Sequence, residues 1–146
     1  MNKAGLISSI AVIGLVATLA LAHGPKHNPV RHQFFMKNGI PDTYASAVNP
    51  MAANAGQAGK ALYDENCASC HGKAGNGHGE AGADLDPKPP ELKSMIGMPM
   101  ASDGYLLWAL SDGGEALDTA MPAFKDALSE TERWQIIAYM QSGFAD

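Results

Sequence analysis

The sequence predicts a small all-α domain of a few helices, entered through an irregular N-terminal strap. Three stretches carry that prediction. In residues 57–66, Ala58, Ala61, Leu62 and Tyr63 fall at helical spacing. Ser102 or Asp103 can cap a second helix holding Tyr105, Leu106, Leu107, Trp108 and Leu110, which Gly113-Gly114 stops. Ser129-Glu130-Thr131-Glu132 has the S-x-x-E form of a capping box and opens a third helix. No βαβ pattern accompanies these stretches. At 146 residues the chain has room for one compact domain and an extension. Its composition divides it into residues 1–22, 23–55 and 56–146. A last division of that size buries only a modest apolar core, so a molecule bound within it would supply much of the interior.

Lys3 precedes an uncharged run from Ala4 to Ala22 that ends Ala20-Leu21-Ala22. This is a basic n-region, an apolar h-region and an A-x-A cleavage site, and it predicts a signal peptide cut after Ala22. An uncleaved anchor is the alternative, because the run is nearly long enough to span a bilayer. No cysteine follows it directly, which excludes a lipoprotein anchor. Both readings put the folded part outside the cytoplasm, in the periplasm. The formal net charge is −5, and cleavage makes the chain one unit more negative by removing Lys3. Scattered Lys and Arg on an acidic chain argue against nucleic-acid binding.

From His23 to Ala55 the chain is broken by Pro25, Pro29, Pro41 and Pro50, which argues against a long helix. Phe34, Phe35 and Met36 need cover, so this extension is predicted to pack on the domain as a strap, with residues 52–55 as a flexible joint. His23, His27 and His32 raise a copper site, since cleavage would leave the His23 amine and ring together. The plainer reading is a solvated tail.

Cys67-Ala68-Ser69-Cys70-His71 has the C-x-x-C-H spacing of a c-type haem attachment site. Each thiol can form a thioether with one vinyl group, and the adjoining His71 is then placed under the iron as proximal ligand. The predicted cofactor is therefore one covalently bound haem c. That agrees with an exported chain, because such haem is attached after export. A redox disulfide between Cys67 and Cys70 expects a βαβ context, and zinc expects further ligand pairs; the sequence offers neither.

Around the motif, Gly59, Tyr63 and Cys67 share one helix face. Glycine there costs roughly 1 kcal/mol of helix propensity and permits another helix to approach closely. The helix opened by Ser129 carries Trp134, Ile137, Ala138 and Gln141 on one stripe and Ile136, Tyr139 and Met140 on the next, and is predicted to cross near Gly59. Gly77-His78-Gly79-Glu80-Ala81-Gly82 matches a dinucleotide fingerprint, but no strand precedes it. Its glycines are instead expected to let the backbone wrap close to the macrocycle, with His78 an exposed loop residue. Asp86-Pro87-Lys88-Pro89-Pro90 follows an extended path that leaves carbonyls free. Pro89 or Pro90 is the predicted acceptor for the second ring N–H of His71. Trp108 is expected either in the core against the macrocycle or as a capping aromatic.

In Thr119-Ala120-Met121-Pro122-Ala123-Phe124, a methionine is fixed by the proline after it, on a loop between two helices. Met121 is the predicted sixth ligand, completing a His/Met pair. Met95, Met98 and Met100 compete for that role but lie early for a chain crossing to the opposite face. Failing a thioether, the sixth position is taken by His78 or stays open.

Taken together, Gly59, Tyr63, Cys67-Ala68-Ser69-Cys70-His71-Gly72, the proline loop, Met121-Pro122-Ala123-Phe124 and the aromatic last helix resemble the class I cytochromes c. The resemblance spans about residues 56–143. It implies a small all-α cytochrome c fold with packed terminal helices, His/Met ligation, and electron transfer without bond-making. The strap from Arg31 to Pro41 is similar to segments ahead of the haem domain in some exported bacterial mono-haem cytochromes. The acidic balance departs from mitochondrial-type members, with Lys73, Lys88, Lys93 and Lys125 interleaved with acids rather than forming a docking ring.

The resulting expectation is a periplasmic one-electron carrier, not itself an enzyme. It would shuttle electrons between a donor dehydrogenase and an acceptor such as a terminal oxidase or reductase, with membrane attachment only through an uncleaved leader. One alternative is a haem enzyme or ligand-binding sensor with an open iron site, for which His78 is the only spare imidazole within the domain. Another is the cytochrome subunit of a larger redox enzyme.

Overall fold

The computed structural model describes residues 29–51 and 56–144, and within them the chain is helix, turn and loop with no strand. In chain order the helices are α1 (Pro29–Asn38), α2 (Asp42–Ala45), α3 (Gly56–Asn66), α4 (Ala68–His71), α5 (Leu92–Met95), α6 (Asp103–Asp112) and α7 (Glu130–Gln141). Single 3₁₀ turns at Glu80–Gly82 and Glu115–Leu117 punctuate the two long loops. Fold class and the three predicted helices agree with this architecture.

Helices α3 and α7 pack on each other through Gly59. A Cβ built there would strike the Gln135 carbonyl oxygen and lie 2.9 Å from Tyr139 Cβ, so only glycine allows this approach. Beside the crossing, Tyr63 packs against Tyr139 and Phe144, with ring centroids 5.5 and 5.3 Å away. The buried Tyr63 hydroxyl donates to the Gly72 carbonyl at 2.8 Å, which satisfies it and ties α3 to the end of α4.

The capping box of α7 is complete. Ser129 Oγ accepts from the Glu132 amide at 3.3 Å, and the Glu132 carboxylate accepts from the Ser129 amide at 2.8 Å. Trp134 and Ile136 through Met140 are all buried, so α7 is covered around most of its circumference. Helix α6 is buried from Gly104 to Ser111; Ser102 caps it by accepting from the Tyr105 amide, and Gly113, at φ 72°, ends it.

The strap differs from expectation in its local form. Rather than irregular chain, it is α1 and α2 with short links. Pro29 stands at the first position of α1, where the missing N–H interrupts no helical bond, and Gly39, at φ 70°, ends the helix. Prolines bound these helices instead of preventing them. The strap does pack on the domain: Phe34 stacks on Trp108 at 5.8 Å and Phe35 meets Tyr105 edge-on at 6.0 Å. The leader, His23, His27 and the joint at 52–55 lie outside the described residues, as does the side chain of His32. No helix among the described residues is long and apolar enough to cross a membrane.

Candidate haem site

Cys67 ends the α3 segment and serves as the N-cap of α4, a single turn containing Cys70 and His71. The His71 and Cys70 amides both donate to the Cys67 carbonyl, at 2.9 and 3.2 Å. One turn of helix thus presents residues i, i+3 and i+4 on one side. Gly72 closes the turn at φ 76°. Cys67 and His71 are buried, whereas Cys70 is partly exposed. Both sulfurs are separate thiols. Burial, with a smaller contribution from the neighbouring Cys70, pushes the Cys67 thiol up to about 12, which favours its protonated form.

The glycine-rich loop folds back on this turn. The Gly77 amide donates to the His71 carbonyl at 2.8 Å, and the Gly79 amide to the Cys70 carbonyl at 3.1 Å. A Cβ on Gly79 would lie 2.6 Å from Cys70 O, and one on Gly77 would lie 2.8 Å from Pro89 O. These glycines therefore serve backbone-to-backbone packing between the motif and the proline segment. Gly77 also lines the cavity onto which the motif opens.

Cys67, Cys70 and His71 open on a cavity of about 870 Å³. Pro89 and Pro90 line the same cavity, and so does Met121. The other three candidate methionines, Met95, Met98 and Met100, reach it as well. Earliness in the chain therefore does not keep them away, because α5 and the turns after it run along the cavity. His78 lies at its edge, exposed. Trp108 is not on its wall; its ring is taken up by Phe34 and Tyr105, and Tyr105 is the α6 aromatic that lines the cavity.

The Met121 loop is tied to the end of α6, whereas the backbone bonds of Met95 and Met98 close local turns. The Gly114 amide donates to the Met121 carbonyl at 2.9 Å, and the Phe124 and Lys125 amides donate to Leu110 and Ser111 carbonyls at 3.0 and 3.2 Å. The loop is thus bound to the last turn of α6. A Cβ on Gly113 would lie 2.7 Å from Met121 O, so glycine with a positive φ is required there too.

The volume lies within the 300–1,000 Å³ range of cofactor pockets. Two thiols at vinyl-bridging spacing, one imidazole and several thioethers form its polar and soft wall, a donor set that fits haem c. Among the described residues no group of His, Cys, Asp and Glu is assembled to hold a metal ion directly. Sequence reasoning anticipated the two cysteines, His71, Met121 and both prolines at this cavity. It did not anticipate Tyr105 there, and no local pattern distinguishes that tyrosine from any other buried aromatic of α6.

Residues 54–140 match the family model described as cytochrome c oxidase, cbb3-type, subunit III. Among curated proteins, the chain is similar to the cbb3-type cytochrome c oxidase subunit CcoP of Azospirillum sp. (strain B510), at 32% identity over 101 residues. That alignment covers 68% of this chain and 33% of the relative, so the chain spans about a third of the relative's length. No solved structure matches. With more than half of its residues matched, the chain belongs to the cbb3-type subunit III family of c-type cytochromes.

Proposed function

We propose that the domain holds one haem c, attached through thioethers to Cys67 and Cys70 and ligated by His71 and Met121, and that it works as a periplasmic one-electron carrier. The observation that best supports this reading is the convergence of one helical turn carrying both thiols and the imidazole on the cavity that Met121 also lines. When bound, the haem supplies a single-electron couple, ferric to ferrous. The chain's residues would hold it: Cys67 and Cys70 through thioethers, His71 and Met121 as ligands, with Pro89 and Pro90 lining the same cavity as His71. A ligand pair on rigid elements limits reorganisation as charge changes. The apolar surroundings and thioether favour the reduced form and raise the potential.

Reversible one-electron titration of the visible spectrum tests this, together with retention of haem by the denatured chain. Haem released on denaturation would refute the thioether assignment. Titration without a one-electron transition would refute the carrier role.

The family description and the named relative favour a second form of the same chemistry, in which the domain is an electron-transfer subunit of a cbb3-type oxidase rather than a free shuttle. Chromatography of the tagged chain from native cells separates the two. A free carrier elutes at its own mass; a subunit elutes with a membrane complex containing further haems.

A further inference from the structure

The strap lies N-terminal to the family match, so the shared cytochrome domain does not account for it. Three of its contacts with α6 span the length of that helix. At the N-terminal end the Asn49 amide donates to Asp103 Oδ2 at 2.8 Å. In the middle, Phe34 stacks on Trp108. At the C-terminal end the Tyr44 hydroxyl donates to Asp112 Oδ1 at 3.1 Å. Gly104 makes the approach possible, because a Cβ there would lie 3.1 Å from the Tyr44 carbonyl carbon and strike its oxygen.

The third contact reaches the methionine loop. Lys125 Nζ donates to the same Asp112 Oδ1 at 3.2 Å. Lys125 follows closely after Met121, and its amide is bonded to the Ser111 carbonyl. Asp112 stands in the last turn of α6, a turn with no basic residue, where the negative end of the helix disfavours an acid. Two donors from separate parts of the chain offset that placement. Arg133 of α7 donates to the adjoining Ser111 hydroxyl and braces the same turn.

We propose that Tyr44 is a positioning residue for Met121: its hydroxyl and the Lys125 ammonium close on one carboxylate oxygen of Asp112 and clamp the strap to the chain that carries the methionine. The inference rests on the reading of Met121 as sixth ligand. The clamp keeps the loop shut and so limits how readily an outside donor replaces the thioether. Loss of a hydrogen bond to a charged acceptor favours the open loop by about tenfold.

The test is imidazole binding to the ferric holoprotein, followed by absorbance, in which imidazole replaces the Met121 sulfur with no change of oxidation state. Tyr44→Phe and Asp112→Ala are expected to bind imidazole about tenfold more tightly than wild type. Ser129→Ala, which weakens the fold through the α7 cap and removes none of the Tyr44, Lys125 and Asp112 hydrogen bonds, is expected to bind as wild type does. Wild-type affinity in Tyr44→Phe, or equal tightening in Ser129→Ala, would overturn the proposal. Lys125→Met, at a half-exposed site, tests the same clamp should Tyr44→Phe fail to fold. If Met121→Ala leaves imidazole affinity unchanged, the underlying ligand reading fails. If Met121→Ala tightens binding and the clamp variants do not, only this inference fails.

Discussion

Gly59→Ala adds one methyl group where α3 and α7 touch. In an open helix that change would stabilise by about 1 kcal/mol, because alanine has the better helix propensity. Here the new Cβ meets the Gln135 carbonyl oxygen, its carbon at 2.8 Å and Tyr139 Cβ at 2.9 Å. Those atoms are backbone or the first side-chain carbon, so no rotamer change relieves the contact and the helices must separate. Overpacking of this kind costs about 1–3 kcal/mol, and rigid neighbours place it at the upper end. After the propensity gain, the net loss is about 2 kcal/mol. For a domain of this size that lowers the thermal midpoint by roughly 8–16 °C. Far-ultraviolet circular dichroism of the holoprotein during heating reads the shift. Gly97→Ala is the control: no atom lies within 4 Å of its Cβ position, and a change within about 0.5 kcal/mol is expected. A Gly59→Ala protein that melts at or above the wild-type midpoint would refute the packing argument.

Tyr63→Phe removes the donor to the Gly72 carbonyl and leaves that acceptor in the core, at a cost of about 1–3 kcal/mol. Denaturant titration should show a lower midpoint with an unchanged slope; an unchanged midpoint would mean the bond contributes nothing. The Glu132 carboxyl is held below the usual carboxylate range by hydrogen bonds from Ser129, side chain first and then backbone. A lowered folded pKa contributes stability that is present above the unfolded value and lost as pH falls through the folded one. Glu132→Gln should therefore be less stable than wild type at neutral pH, with the difference shrinking in acid. Thermal melts across that range check it, and a deficit independent of pH would contradict the assignment.

Local signals in the sequence describe local structure well here. The α3 stripe, the Ser102 cap, the Gly113 stop and the Ser129–Glu132 box depend on residues a few positions apart, and each is present. The cavity was legible for a related reason, since C-x-x-C-H must fall on one turn for both thiols and the imidazole to face one way. What escaped was long-range. Tyr44 and Asp112 are 68 positions apart, and neither residue type announces the other. The strap's helices were hidden by prolines that mark their ends, because proline is tolerated at a helix start and forbidden further in. The close approach of Gly77 and Gly79 to the carbonyls of Pro89 and Cys70 was not legible, because those contacts depend on how the loop folds back. Four methionines reach one cavity, so chain position alone did not separate them. Met121 is the one of the four on the loop bonded to the end of α6, while Met95 and Met98 sit in locally bonded turns.

The most direct test of the account is the weak near-infrared sulfur-to-iron band of the ferric holoprotein, compared among wild type, Met121→Ala, Met95→Ala, Met98→Ala and Met100→Ala. The account predicts the band in wild type and in the three variants that keep Met121, and its loss in Met121→Ala together with a lower reduction potential. A band that survives in Met121→Ala, or disappears with one of the other methionines, would contradict it.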